Sequence, residues 1–307
     1  MITRYEFEIL SYLEQKGALT SSDREIADQL YISESAFLLA KDSLRHRGLV
    51  LVGQNGRFSI AEDGLHALEP YRVKHAVILA AGFGSRMMPA TADRPKPMVQ
   101  VRGKRIIDTL LDALVKAGIA DITVIGGYRY EVLKELAGKY PFLNFIENKD
   151  YAVTNNISSA VLACDRLREG CYLCEADLYI RNPDSAVKKY QYASNILGSY
   201  SMETDDWCYR MENGFLTDYR KGNTYCYTYY GISYWTAEDC TKLRQDFRKV
   251  YESPGGKDIF WEFVPFVLKK DRYRVEVRPC RKQDIMEIDS YEELAQLDPN
   301  YRRSDAE

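Results

Sequence analysis

The spacing of apolar positions changes character once along the chain, near residue 72. Before that point Tyr5, Ile9, Tyr12 and Leu13 recur at helical intervals and predict an amphipathic helix. Ser21 and Ser22 then precede DREIADQL, a cap followed by acidic first-turn residues of a second helix. YISESAFLLAKDSLRHRGLV predicts a turn and a longer helix stopping near Gly48. LVLVGQNGRFSIAEDG reads as strand, Asn55-Gly56 hairpin turn and strand. From His75 onward, short continuous apolar runs alternate with helical periods. HAVILAA, DITVIGG, LNFIENK and GCYLCEADLYI predict four strands, with RIIDTLLDALVKAG, YEVLKELAGKY and NISSAVLACDRL as the helices between them. That alternation argues for an α/β fold with a mainly parallel sheet covered on both faces. SYSMETDDWCYRM and TYCYTYYGISYW predict antiparallel ribbons that make the sheet mixed, and 299–307 reads as a frayed tail. Two domains are expected, 1–71 and 72–307.

Composition narrows the function classes. The 307 residues are 46% hydrophobic and 28% charged, a balance that builds folded cores. A formal net charge of −3 gives no bulk support for binding polyanions. No apolar run approaches the ~20 residues that cross a bilayer, and the acidic residues in MITRYEFEILSYLEQ suit a helix and not a signal peptide. The cytoplasm is the expected compartment. Seven cysteines are thinly spread, and Cys171-x-x-Cys174 has no second half of a zinc set, so reduced core thiols are expected. His46, His66 and His75 lie near no nucleophile motif, which argues against triad hydrolysis.

Three helices followed by a two-stranded wing is the order of a winged helix-turn-helix, and residues 1–71 resemble that superfamily in pattern. Lys41, Arg45, His46 and Arg47 near the end of the third helix and Arg57 in the wing could meet phosphates. Yet the segment carries seven basic against eleven acidic side chains, a net charge of −4. Nucleic acid is therefore the less favoured partner, and a packing or dimerisation module the favoured reading.

The chemistry concentrates after the first strand of the second domain. Ala80, Ala81, Gly82, Gly84 and Ser85 form a small-residue loop whose backbone N–H groups can approach phosphate oxygens. Arg86 supplies a guanidinium for phosphate, and Lys96, in Arg94-Pro95-Lys96-Pro97, an ammonium to offset developing charge. No Gly-Lys-Ser/Thr follows, and the third glycine of a dinucleotide fingerprint is absent.

LAAGFGSR…RPKPM resembles the signature of nucleotidyltransferases that activate sugars and alcohol phosphates. GGYRYE, TNNISSA, EADLY, KDIFWEF and MEIDSYEEL look, in this order, like segments of bacterial CTP:phosphocholine cytidylyltransferases. The resemblance implies a Rossmann-like nucleotidyltransferase sheet, with CTP and phosphocholine as partners and Mg²⁺ as cofactor. It implies that Gly82, Gly84 and Ser85 hold phosphates, that Arg86 and Lys96 neutralise the transition state, and that Asp177 and Asp289 bind the metal. Gly127, Tyr128 and Asn155 are candidates for cytidine and ribose, although Asn155 or Asn156 could equally serve as a helix N-cap. A quaternary ammonium offers no N–H and is held by aromatic faces and a carboxylate, which makes Asp206, Trp207, Asp258, Trp261, Tyr179 and Tyr230 acceptor candidates. The implied reaction is in-line attack on the α-phosphorus of CTP. The competing expectations are a sugar phosphate or aminoethylphosphonate acceptor, another nucleotide, a nucleotide-sensing DNA-binding regulator, and a scaffold whose N-terminal module recruits a partner enzyme.

Overall fold

In a computed structural model that describes residues 1–53 and 57–302, the chain forms two units. One comprises Met1–Arg72 with Tyr190–Tyr192, the other Val73–Lys189 with Ala193 onward. In the first, α1 (Arg4–Lys16), α2 (Asp23–Gln29) and α3 (Glu34–His46) precede an antiparallel pair, β1 (Val50–Val52) and β2 (Phe58–Ile60). Thr3 caps α1 and Ser22 caps α2, each in a reciprocal box with a glutamate three residues on, a device worth about 1 kcal/mol per helix. The expected Asn55-Gly56 turn lies outside the described residues. Glu62 and Asp63, expected in a strand, instead begin α4 (Glu62–Leu68), where acidic side chains suit a helix N-terminus. Phe7, Leu10, Leu13, Ile26, Phe37, Leu44, Phe58 and Leu68 are the buried core, and Tyr192 stacks on Tyr71 at 5.4 Å.

Three of the basic residues that could have met nucleic acid in this unit are paired with acids. Lys41 pairs with Asp23, Arg45 with Asp42 at 3.5 Å, and Arg47 with the buried Glu6 at 3.1 Å. Glu6 is held below its ordinary range: burial opposes its ionisation, but Ser43, the Thr3 backbone and Arg47 outweigh it.

The second unit opens with β3 (His75–Ala80), a short hairpin of β4 (Gln100–Val101) and β5 (Lys104–Arg105), and α5 (Ile106–Lys116). β6 (Asp121–Gly126), α6 (Tyr130–Leu133), β7 (Asn144–Glu147), α7 (Ile157–Ala163) and β8 (Cys171–Glu175) follow. The sequence YEVLKELAGKY thus holds only one α-turn, continued as a 3-10 segment, Lys134–Gly138. Next come β9 (Leu178–Ile180), α8 (Pro183–Ala186), β10 (Asn195–Glu212), β11 (Phe215–Trp235), α9 (Ala237–Tyr251), β12 (Glu276–Cys280), β13 (Ile285–Glu287) and α10 (Tyr291–Leu297). β7, β6, β3 and β8 run parallel, and β11 joins β8 antiparallel. The seven-stranded order is β10-β12-β11-β8-β3-β6-β7, with β10 and β11 also paired as a long antiparallel ribbon. The fold is therefore mixed α/β with a mostly parallel centre.

Strand alternation divides the core. Ala76, Ile78 and Ala80 of β3 face one cluster with Leu110, Leu111 and Leu114 of α5. Val77 and Leu79 face the other, with Ile157 and Ala160 of α7 and Phe247 of α9. Two departures from the sequence pattern matter for the site. GCYLCEADLYI is not one strand: it breaks at Ala176-Asp177, and β9 leaves the main sheet to pair with β13. Of the tail expected at 299–307, Pro299–Tyr301 form a 3-10 turn and the Tyr301 hydroxyl donates to the Gln100 carbonyl at 2.9 Å, while 303–307 lie outside the described residues. The seven cysteines are all free. Among the described residues no helix is long and apolar enough to cross a membrane.

Candidate active site

β3 delivers the chain into the small-residue loop, and Ala80, Ala81, Gly82, Phe83, Gly84, Ser85 and Arg86 line one side of a cavity of about 680 Å³. This is the carboxyl end of a parallel strand, where open α/β sheets bind ligands. Gly84 has φ +63°, and a Cβ there would come within 2.8 Å of Lys96 Cβ. Thr91 Oγ1 donates to the Gly84 carbonyl at 2.9 Å and holds the bend. Gly84→Ala is expected to cost about 1–2 kcal/mol of stability and at least tenfold in activity by displacing Lys96. Gly82, with nothing within 4 Å of its Cβ position, is the comparator for stability: Gly82→Ala should shift thermal melting far less.

Across the loop stands the charge centre. Lys96 Nζ donates to Asp177 Oδ2 at 3.0 Å and to Asp289 Oδ1 at 2.6 Å, while Arg86 pairs with Asp289 Oδ2 at 3.0 Å. β9 and β13 make this convergence. Their pairing sets Glu287 opposite Leu178, and the Ile288 N–H donates to the Asp177 carbonyl at 3.3 Å. Burial opposes the charge on Lys96, but Asp177 and Asp289 outweigh it and hold the ammonium well above its ordinary range. Asp289 is held low in the same way, Lys96 and Arg86 overcoming the effect of burial. Glu287 is pushed up by burial first and by Asp177 and Asp289 second.

The far wall of the cavity is aromatic and acidic: Asp206, Trp207, Tyr219, Lys221, Tyr229, Phe260, Glu175 and Glu262 line it. Trp207 sits where the register of β10 against β11 shifts, an irregularity that re-aims a side chain. Its ring stacks on Tyr219 at 5.3 Å and meets Phe260 at 5.8 Å.

Residues 75–163 match the sequence model of the nucleotidyl transferase family. The chain is 34% identical over 231 residues to 2-aminoethylphosphonate cytidylyltransferase of Lancefieldella rimae, covering 74% of this chain and 93% of that protein. It belongs to the nucleotidyltransferase family. Choline-phosphate cytidylyltransferase of Streptococcus pneumoniae is 29% identical, over 73% of this chain and 96% of its own length. The solved structure of the CTP:phosphocholine cytidylyltransferase from that organism superposes with a TM-score of 0.69 at 29% identity, covering 75% of this chain and all of the other. These full-length relatives share cytidylyltransferase activity.

Nucleotidyltransferases generally use a divalent metal, and the residues here fit one. Carboxylate oxygens of Asp177, Glu287 and Asp289 lie within 4.8 Å of one another. Asp177 Oδ1 is buried without a hydrogen-bond partner, an orphaned acceptor that a hard cation would satisfy. Glu287 was not singled out from sequence. The signal was there in Glu287-Ile288-Asp289, which repeats a carboxylate at a spacing of two.

Several residues named from sequence lie elsewhere in this nucleotidyltransferase. Trp261 is fully buried, packed between Trp235 and Phe247, and lines no part of the cavity; Phe260 and Glu262 on either side of it do. Tyr230 falls on the opposite face of β11 from Tyr229 because side chains alternate along a strand, and its hydroxyl bonds Ser199 at 2.8 Å. Tyr179 packs in the small cluster around Val99 and Ile288. Asp258 is exposed, and its carbonyl accepts from Asn155 Nδ2 at 3.1 Å. Gly127 packs tightly, its Cβ position 2.8 Å from the Ala81 carbonyl oxygen. Tyr128 ties down the loop by donating to the Thr91 and Ala92 carbonyls at 3.2 and 3.1 Å. Asn155 does line the cavity, and the residue capping α7, Asn156, makes no side-chain capping bond. Asn156 Oδ1 instead accepts from the Trp261 N–H at 2.8 Å.

Proposed function

We propose that the chain transfers a cytidylyl group from CTP to a small phosphate or phosphonate that carries a cationic amine, releasing pyrophosphate with Mg²⁺ as cofactor. What supports this most is the convergence of Arg86 and Lys96 with Asp177, Glu287 and Asp289 on the cavity that the small-residue loop also lines. Gly82, Gly84 and Ser85 present backbone N–H groups to the triphosphate. Asp177, Glu287 and Asp289 hold the metal, which when bound neutralises phosphate charge. Lys96, kept protonated by its two carboxylates, and Arg86, paired with Asp289 and 71% exposed on its side chain, stabilise charge developing at the α-phosphorus. The acceptor oxygen is ionised near neutral pH, so alignment and neutralisation suffice without a general base; no histidine lines the cavity.

The acidic and aromatic far wall suits a cationic head group. Phosphocholine and 2-aminoethylphosphonate are the two acceptors in view, the latter named by the relative of higher identity. The test is pyrophosphate release from each of four nucleotides with phosphocholine, phosphoethanolamine, 2-aminoethylphosphonate and hexose phosphates, with and without Mg²⁺. CTP with an amine-bearing acceptor is expected to exceed every other pair by at least tenfold. Turnover confined to hexose phosphates would overturn the assignment. The N-terminal unit is read as a winged-helix-like packing module and not a reader of DNA, in keeping with the internal pairing of Lys41, Arg45 and Arg47. The cytoplasm is its proposed compartment, in keeping with seven unbridged cysteines.

A further inference from the structure

Glu262 is the least explained group in the cavity. It lines the wall, is only 2% exposed, and its Oε2 has no hydrogen-bond partner among the described residues. Its Oε1 is already served by the Tyr229 hydroxyl at 3.1 Å. Glu175, at the end of β8, lines the same cavity and receives Asn156 Nδ2 at 3.5 Å; burial first and the neighbouring Glu262 second push its carboxyl well above the ordinary range. The backbone makes room for it: at Gly231, φ +58°, a Cβ would come within 2.7 Å of Glu175 Oε2. Lys221, the remaining cation on this wall, is exposed and pairs with neither glutamate among the described residues.

The aromatic side chains nearby are occupied differently. One face of Trp207 is covered by Tyr219, stacked at 9° between ring planes, and Phe263 abuts Trp207 edge-on at 5.5 Å. Trp261 lies in the core. Beside these rings Glu262 Oε2 remains a buried acceptor with no donor among the described residues. A trimethylammonium has no N–H to give it; a primary ammonium has three.

Resting on the cytidylyl-transfer reading above, we propose that Glu262, with Glu175 beside it, receives the acceptor's amine and selects a primary ammonium over a trimethylated one. Methylation would leave Glu262 Oε2 buried and unpaired, the situation in which polar sites discriminate most strongly.

The experiment measures kcat/KM for phosphoethanolamine, its N-methyl and N,N-dimethyl forms, and phosphocholine, with CTP and Mg²⁺. A fall of about a hundredfold along the series is expected, with 2-aminoethylphosphonate grouping with phosphoethanolamine. Glu262→Gln should lower phosphoethanolamine turnover by about a hundredfold and phosphocholine turnover by only about threefold, narrowing the gap. Equal turnover of phosphocholine and phosphoethanolamine by the wild type overturns the proposal. So does an equal loss on both acceptors in a Glu262→Gln protein that binds CTP and melts as the wild type does. Should the variant fail to fold, the wild-type series decides. Should no acceptor release pyrophosphate, cytidylyl transfer falls, and the head-group proposal is judged by calorimetry: tighter binding of phosphoethanolamine than phosphocholine supports it, and equal binding overturns it.

Discussion

Lys96→Ala is expected to lower kcat by about a thousandfold while far-ultraviolet circular dichroism stays that of the wild type. Among the described residues the ammonium alone bridges Asp177 and Asp289, at 3.0 and 2.6 Å, and its side chain is 11% exposed. In the proposed reaction its attraction to the α-phosphoryl group would act from a largely buried position, where a charge is worth more than in water. Removing it leaves two carboxylates facing one another without their shared cation, and the Asp289 carboxyl loses one of the two charges that hold it low. Some stability is lost as well, because one partner of a partly buried ion pair is left behind. The two effects separate in measurement: chemistry should fall by orders of magnitude in single-turnover pyrophosphate release, while melting shifts by a few degrees. A variant with more than about a tenth of wild-type kcat would remove Lys96 from the catalytic machinery.

Asp177→Asn is expected to be similarly inactive for a different reason. The amide keeps the shape of the side chain but loses the charge, and its Oδ1 position has no hydrogen bond in the structure to lose. Stability should change by no more than about 1–2 kcal/mol, since among the described residues the ion pair removed is the one with Lys96. Divalent-ion binding is the sensitive readout. Electron paramagnetic titration with Mn²⁺ should show affinity reduced by at least about tenfold, with Glu287 and Asp289 left as incomplete ligands. Unchanged Mn²⁺ affinity in a folded Asp177→Asn protein would move the metal elsewhere.

These two residues also show how far the sequence could be read. Lys96 and Arg86 were legible because they lie within a short stretch after one strand, where loop composition and charge spacing are local properties. Asp177 was legible as a carboxylate near a strand end, but not the break that places it. GCYLCEADLYI is apolar on either side of Glu175-Ala176-Asp177 and looks like one strand, and pairing with β13 takes its second half away from the sheet. The acceptor wall was the hardest to read. Asp206 and Trp207 line the cavity, whereas Trp261, Tyr230, Tyr179 and Asp258 do not.

The difference is one of facing. In Phe260-Trp261-Glu262 the sequence holds both a large aromatic and an acid, and chemistry alone favours the aromatic for a cationic ligand. The fold turns Trp261 into a core of Trp235, Phe247 and Phe266 and leaves the acid on the cavity. Alternation along β11 fixes that Tyr229 and Tyr230 point to opposite faces; which face is the cavity depends on β8 beside it and on what packs beyond. By itself the amino-acid order determined most of the element types, the α/β alternation, the small-residue loop after β3 and the lack of a long apolar run, because each arises from neighbours a few positions apart. The tertiary structure decided the third carboxylate of the candidate metal cluster, the orientation of the aromatic wall and the orphaned oxygen of Glu262. Those depend on pairings between segments as much as a hundred residues apart, which no local spacing encodes.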